Sequence, residues 1–250
     1  MPPLEPSHDL TVAAARDFRT THWSLVLTAG QGAPAEAAPA LEQLCRAYWY
    51  PLYTYVRRRG HPPEEAQDLV QEFFSQLLER KDLGTVDRAR GKFRSFLMAS
   101  MNHLEANEWK KANRQKRGGG ALVFSLDEQD AEGRFQHEPA SDWTPEKAFE
   151  RRWAETLLQQ VLALLRAEFK AAGLEPRYDL LKPYLLSDEE PEPCVGLAAR
   201  LGLTASGVKS AIRRMKLRYA EIFREEIART VSTPEEIDEE IRHLFAALGG

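Results

Sequence analysis

An all-α architecture follows from three features of this sequence. Alternating β-branched runs of the kind that build strands are almost absent. Apolar residues recur instead at i, i+3, i+4 and i+7 over long stretches. Helix start and stop signals fall at the ends of those stretches: Pro63 with Glu64 and Glu65, Thr144-Pro145, Gly173 and Pro234. The expected arrangement is two helical domains joined by a flexible acidic linker, with an extra C-terminal helix.

The first stripe is Leu41, Leu44, Cys45, Tyr48, Trp49, Leu52, Tyr53 and Val56. Pro51 lies inside it and is expected to kink or divide the helix, because proline removes a backbone donor and its ring crowds the preceding turn. Gly60-His61-Pro62-Pro63 ends that helix. A second begins near Pro63, with acids in its first turn where the helix dipole favours them. It buries Ala66, Leu69, Val70, Phe73, Phe74, Leu77 and Leu78. After a polar loop from Lys81 to Lys92, a third helix runs from about Phe93 to Ala112, with Phe93, Phe96, Leu97, Met101 and Leu104 inward. These make an N-terminal bundle over residues 20–117.

Gly118-Gly119-Gly120 closes the bundle. Residues 118–144 have no sustained period and read as a linker, too long for an ordinary loop. Thr144 caps the next helix and Pro145 takes its first position. That helix continues to about Ala172, and a short one follows from Tyr178 to Leu186. Two more helices with a tight turn between them complete a second domain, 145–228. Residues 229–250 form a C-terminal helical extension, whose acidic outer face (Glu235, Glu236, Asp238, Glu239, Glu240) is expected to fold back on the basic second helix of the preceding pair or to bind a regulator, the alternative being a stabilising helix packed on its own domain.

Composition narrows the function. Apolar residues make up 43% of the 250 and charged residues 29%, a globular and not a disordered balance. No run approaches the roughly 20 apolar residues that cross a bilayer. Met1 to Leu10 has two acids, three prolines and no Lys or Arg, unlike a secretory signal. Cys45 and Cys194 are too few for a disulfide framework. A cytoplasmic location is therefore expected, with no membrane partner. The six histidines have no metal-ligand spacing, and the acids form no cluster suited to metal-assisted chemistry. No metal, cofactor or catalytic residue is expected, and the protein is not read as an enzyme.

The net charge of −4 conceals segregation. Between Arg88 and Arg117 nine bases face two acids, and between Thr204 and Ala220 five bases face none. Between Leu126 and Glu155 nine acids face four bases, and between Glu221 and Gly250 eight face three. Polyanion binding follows the local potential and not the sum over the chain.

Cys194 to Arg213 (CVGLAARLGLTASGVKSAIR) has the pattern of a helix-turn-helix. Ala198 is small where two helices touch, and Gly202 tolerates positive φ in the turn. Leu197, Leu201, Leu203, Val208 and Ile212 supply the apolar contacts, and Thr204 caps the second helix. Thr204, Ser206, Lys209, Ser210, Arg213, Arg214 and Lys216 are then presented to a major groove.

In order along the chain, three stretches resemble bacterial RNA polymerase sigma factors, in particular the extracytoplasmic-function (group IV) type of the sigma-70 family. The first is LCRAYWYPLYTYVRRRGHPPEEAQDLVQEFFSQLLE, with its Asp-Leu-Val-Gln-Glu-Phe run at Asp68 to Phe73. The second is FRSFLMASMNHLEANEWKKANRQKR, from Phe93 to Arg117, and the third is the helix-turn-helix. Together they span roughly residues 20 to 228. The resemblance implies a protein that binds core RNA polymerase, recognises promoter DNA and helps to open it, and that is a monomer when free. Asp68, Gln71, Glu72, Phe73 and Gln76 would meet the polymerase. Arg94, Asn102, His103, Asn107, Lys110, Lys111 and Arg114 would meet the minus-ten element, and the helix-turn-helix the minus-thirty-five element. The family commonly has Trp-Leu-Tyr where this chain has Phe96-Leu97-Met98, so two hydrogen-bonding aromatics of the base pocket are missing. The loop from Lys81 to Lys92 would extrude a base. Control by an anti-sigma protein, by a kinase or by the C-terminal helix stays open. The alternative is a conventional helix-turn-helix regulator with an N-terminal dimerisation or sensor domain.

Overall fold

The computed structural model describes residues 26, 28–29, 34–79, 92–112, 128–138, 142–186 and 193–249. Every regular element among them is helical: α1 (Pro34–Arg58), α2 (Pro63–Glu79), α3 (Phe93–Ala112), α4 (Glu128–Gln136), α5 (Pro145–Ala171), α6 (Glu175–Leu186), α7 (Cys194–Leu201), α8 (Ala205–Ala228), a single 3-10 turn (Pro234–Glu236) and α9 (Ile237–Gly249). Leu158–Glu226 form one compact unit; the described residues up to Leu157 and from Ile227 onward form another. No described helix is long and apolar enough to cross a membrane.

The larger unit is built around α1. Every residue from Ala47 to Val56 is buried, so this half of the helix must be enclosed on all sides. Aromatic contacts do much of the enclosing. Tyr48 meets the edge of Phe93 on α3 at 5.6 Å and stacks on Phe149 of α5 at 6.4 Å. Tyr55 meets Phe149 edge-on at 6.3 Å. The phenols of this enclosed stretch need partners, and those of Tyr50, Tyr53 and Tyr55 find them on other segments. Tyr55 donates to Asn102 Oδ1 at 2.7 Å, Tyr50 to Glu138 at 2.8 Å, and Tyr53 to Glu132. Burial, then the hydrogen bond to Glu138, pushes the Tyr50 phenol well above its usual range. Burial likewise pushes the Cys45 thiol up to about 12, so it stays protonated and inert.

Two expectations change here. The helix is not divided at Pro51, and α1 runs through it to Arg58. A proline inside a helix costs about 3 kcal/mol. Buried aromatic and aliphatic side chains on either side of it, each worth about 1.5–3 kcal/mol, hold the helix together. Part of the expected linker is also helical. Residues 128–136 form α4, which docks on α1 with Ala131 buried. Glu132 receives Arg57 Nη2 at 2.9 Å and Nε at 3.0 Å, and the Arg57 guanidinium lies 4.7 Å from the Phe135 ring centroid. Glu138, nearly enclosed, pairs with Arg58 at 3.3 Å and with Arg152 of α5 at 2.6 Å. The first half of α5, expected to open the second domain, contributes Phe149, Trp153 and Leu157 to the core of this larger unit.

The C-terminal helix belongs to the same unit. Ile237, Glu240 and Leu244 lie at i, i+3 and i+7 and are its buried residues. Glu240, expected on an acidic outer face, points inward. It pairs with Arg94 at the start of α3 and, at 2.5 Å, with Lys92. Glu235, Glu236, Asp238 and Glu239 remain exposed. Burial alone would raise the Glu240 carboxyl, but Arg94 and then Lys92 outweigh it and hold the group below the usual carboxylate range.

The pH dependence of stability follows from that direction. A lowered carboxylate pKa adds stability above the unfolded value and loses it as pH falls through the folded one. Glu240→Gln should therefore lower stability near neutral pH by about 3–5 kcal/mol, the usual cost of removing one partner of a buried pair. Melting curves of the two proteins should converge in acid, as pH falls through the lowered pKa of the folded carboxyl. A difference that persists unchanged in acid would contradict the ion pair.

Candidate nucleic-acid interface

The smaller unit places α7 and α8 on either side of a three-residue turn. Gly202 takes φ +62° there, and its N–H bonds the Ala199 carbonyl while Leu203 N–H bonds that of Ala198. This satisfies the carbonyls at the end of α7 through a left-handed residue, which glycine tolerates best. Thr204 Oγ1 then accepts from Gly207 N–H at 3.1 Å and caps α8. Leu197 and Val208, one on each helix, are fully buried. The turn chemistry expected from the sequence is thus present in full.

Burying Val208, Ala211 and Met215 fixes which face of α8 remains outside. Thr204, Ser206, Lys209, Ser210, Arg213, Arg214 and Lys216 are all exposed. None of the four cations among them forms an ion pair with a described residue. Arg218, one turn further on, is different: it pairs with Glu168 of α5 at 2.7 Å and with Glu221 and Glu225 of its own helix. Gln160 Nε2 donates to buried Glu226 at 2.9 Å and adds a second tie between α5 and α8. The basic run therefore divides into a free segment, 209–216, and a residue that anchors the helix.

In the larger unit, α2 presents Asp68 and Glu72 as exposed residues, with Gln71 and Gln76 partly exposed. Gln76 Nε2 donates to Glu72 Oε1 at 2.6 Å. Phe73, assigned to the same surface from the sequence, is instead buried, with its ring 5.4 Å from that of Phe74. Its place in the apolar stripe of α2 outweighs its place in the motif. A cleft of about 250 Å³ opens between α2 and α3. Buried Phe73, Leu77 and Leu104 line it beside the more exposed Gln76, His103 and Asn107. Residues expected to serve two different partners thus share one opening.

Asn102 and His103 are exposed and Asn107 is partly so. Asn102 is held by the phenol of Tyr55, which fixes its amide orientation. Arg94 corrects the expectation. It is 3% exposed, so it is not on a DNA-facing surface in this state. Its Nε lies 2.7 and 3.0 Å from the two oxygens of Glu150, its Nη1 meets Glu240, and its guanidinium sits 4.3 Å from the Trp153 ring centroid. The side chains of Lys110, Lys111 and Trp109, the whole of Arg114, and the loop at 81–91 lie outside the described residues. Glu105, one of two acids opposing the first basic block, is buried against Arg59 at 2.8 Å and His61 at 3.3 Å. Burial raises its carboxyl more than those partners lower it.

The partners of Arg94 and Arg57 escaped the sequence reading. Glu240 was within reach: it sits between Ile237 and Leu244 on the apolar side of its helix, where a carboxylate requires a cation. Nothing local pointed to Glu132 or Glu138.

At Gly202 an added Cβ would meet no atom within 4 Å, so the cost of a side chain is purely conformational. Gly202→Ala should destabilise the smaller unit by about 1–2 kcal/mol, and Gly202→Asn by less, since asparagine tolerates this region better. Equal melting temperatures for wild type and Gly202→Ala would contradict the left-handed turn.

Comparison with known proteins bears on the larger unit. No curated protein and no solved structure matches the chain. Residues 44–115 match the family model for Sigma-70 region 2, a stretch that takes in most of α1, all of α2 and α3, and the cleft between the last two. Over that stretch the chain is similar to Sigma-70 region 2.

Proposed function

We propose that this protein is a sigma factor of the extracytoplasmic-function type, which binds core RNA polymerase and directs it to a two-part promoter. The observation that carries the reading is the Sigma-70 region 2 match lying on the α1–α3 bundle. The second basic module supports it: a capped helix with Lys209, Arg213, Arg214 and Lys216 exposed suits a major groove. Reading one duplex element and opening another takes two modules, and a sensor domain would have no need of the basic block at 88–117.

In this reading the exposed face of α2, with Asp68 and Glu72, docks on a basic surface of the polymerase. Gln71 and Gln76 add hydrogen bonds at its edge. Phosphates along the minus-thirty-five element meet Lys209 and Lys216, which set register but carry no sequence information. Arg213 and Arg214 reach base edges. At the minus-ten element Asn102, His103 and Asn107 offer hydrogen bonds beside the α2–α3 cleft, where an unpaired base finds an apolar wall. Stacking and burial of such a base contribute about 1–3 kcal/mol. An anti-sigma protein or a kinase would act on the free state. The protein does no bond chemistry of its own.

Run-off transcription with purified core polymerase tests the whole reading, and initiation that depends on this protein is the expected outcome. If it binds symmetric operator duplexes unaided and never co-elutes with polymerase, the conventional regulator is correct instead. Asp68→Lys with Glu72→Lys should abolish co-elution with core polymerase while the circular dichroism spectrum is unchanged. Arg213→Ala or Arg214→Ala, each removing a side chain that reads a base edge, should weaken binding of the upstream element by about 1–3 kcal/mol, measured on the holoenzyme. An unchanged footprint for both would remove α8 from promoter reading.

A further inference from the structure

Lys92 and Arg94 belong to the most basic stretch of the chain, yet one carboxylate occupies both. Glu240 bridges them, with one oxygen on Arg94 Nη1 and the other 2.5 Å from Lys92 Nζ. A backbone phosphate offers a similar pair of anionic oxygens. The rest of the Arg94 environment does not depend on Glu240: Glu150 holds its Nε and Trp153 supports the guanidinium plane. Arg94 Nη2 is buried with no hydrogen-bond partner, so the present arrangement leaves one donor unused.

The helix that delivers Glu240 buries one face only. The buried residues of α9 are Ile237, Glu240 and Leu244, and Phe245 is 57% exposed. Further ties in this unit include Arg151 to the Leu248 carbonyl and His243 to Glu150 at 3.3 Å, both near the surface. Such peripheral contacts contribute little. An apolar residue at position 240 would not carry the desolvation cost of a carboxylate and would serve adhesion at least as well. A carboxylate is the better choice where the contact must give way to a competing anion.

We propose that Lys92 and Arg94 form a latent phosphate-binding corner for single-stranded DNA, capped in the free protein by Glu240, and that DNA and α9 compete for it. The proposal takes the ligand to be DNA from the sigma factor reading; the competition itself rests on the Glu240 geometry. Coupling of this kind is reciprocal: if α9 weakens DNA binding, DNA must loosen α9 by the same factor.

The full-length protein and a fluorescent oligothymidylate of about 30 nucleotides, long enough to span a single-strand groove, test this. In the wild-type protein, saturating oligonucleotide should speed amide hydrogen exchange across residues 237–249. Exchange there that is unchanged or slowed would overturn the proposal, as would the absence of any binding by both wild type and Glu240→Gln. Glu240→Gln should bind about tenfold tighter at low salt, within the usual range of intramolecular coupling. Its log–log salt slope should stay close to that of wild type, because both complexes neutralise the same phosphates. Lys92→Gln in that background should lower the slope by about 0.7, one phosphate contact. A folded Glu240→Gln protein with wild-type affinity would overturn the proposal, and if that variant fails to fold, the exchange result decides. Failure of the sigma factor reading would register differently: polymerase would not co-elute, while DNA and α9 would still compete.

Discussion

The enclosure of α1 governs the larger unit. Ten consecutive buried residues, Ala47 to Val56, leave that stretch no solvent face, and the phenols of Tyr50, Tyr53 and Tyr55 in it are paired with acceptors from other segments. An apolar jacket could cover the rings but could not satisfy the hydroxyls. The acceptors come from three places: Asn102 on α3, Glu132 on α4, and Glu138 just beyond α4. Each of the two carboxylates then draws in further cations, Arg57 to Glu132, and Arg58 and Arg152 to Glu138. The position of α4, and the ordering of part of an otherwise patternless stretch, follow from the tyrosines of a helix some 80 residues earlier in the chain.

This explains which features were legible in the sequence. The bounds of α2 and α3, the Thr144-Pro145 start of α5 and the Gly202 turn all rest on local chemistry, and all are where the sequence puts them. The course of α1 through Pro51 and the docking of α4 rest on tertiary packing, which local propensity does not encode. The exposed cations of α8 were readable because burying Val208, Ala211 and Met215 fixes their face by helical periodicity alone. The burial of Arg94 was not readable because its sequence neighbours are basic and its spatial neighbours are Glu150 and Glu240, far away in sequence. Phe73 was misread because it belongs to a motif and to an apolar stripe at once, and burial takes precedence.

The distribution of charge has a similar logic. Many of the acids in the two negative blocks are not a surface at all. Glu132, Glu138 and Glu150 lie against arginines inside the larger unit, and Glu240 does the same from the C-terminal end. Those that pair inside cancel arginines that would otherwise be buried alone, and they add nothing to the outward field. The cations from Lys209 to Lys216 have no such partners among the described residues, so their field is felt outside. A chain with a net charge of −4 can in this way keep a locally positive face, and that local face is what steers a polyanion.

Burial also separates two kinds of ionic contact within the protein. Arg218 with Glu168, Glu221 and Glu225 is partly exposed, screened by solvent and salt, and suited to trimming the orientation of α8. Arg94 with Glu150 and Glu240 is enclosed, where each charge has been stripped of water and tolerates no vacancy beside it. The first kind can be removed with little consequence. The second makes the start of α3 conditional on a helix from the far end of the chain, so the two must either stay together or exchange partners, and only another anion can take the place of Glu240.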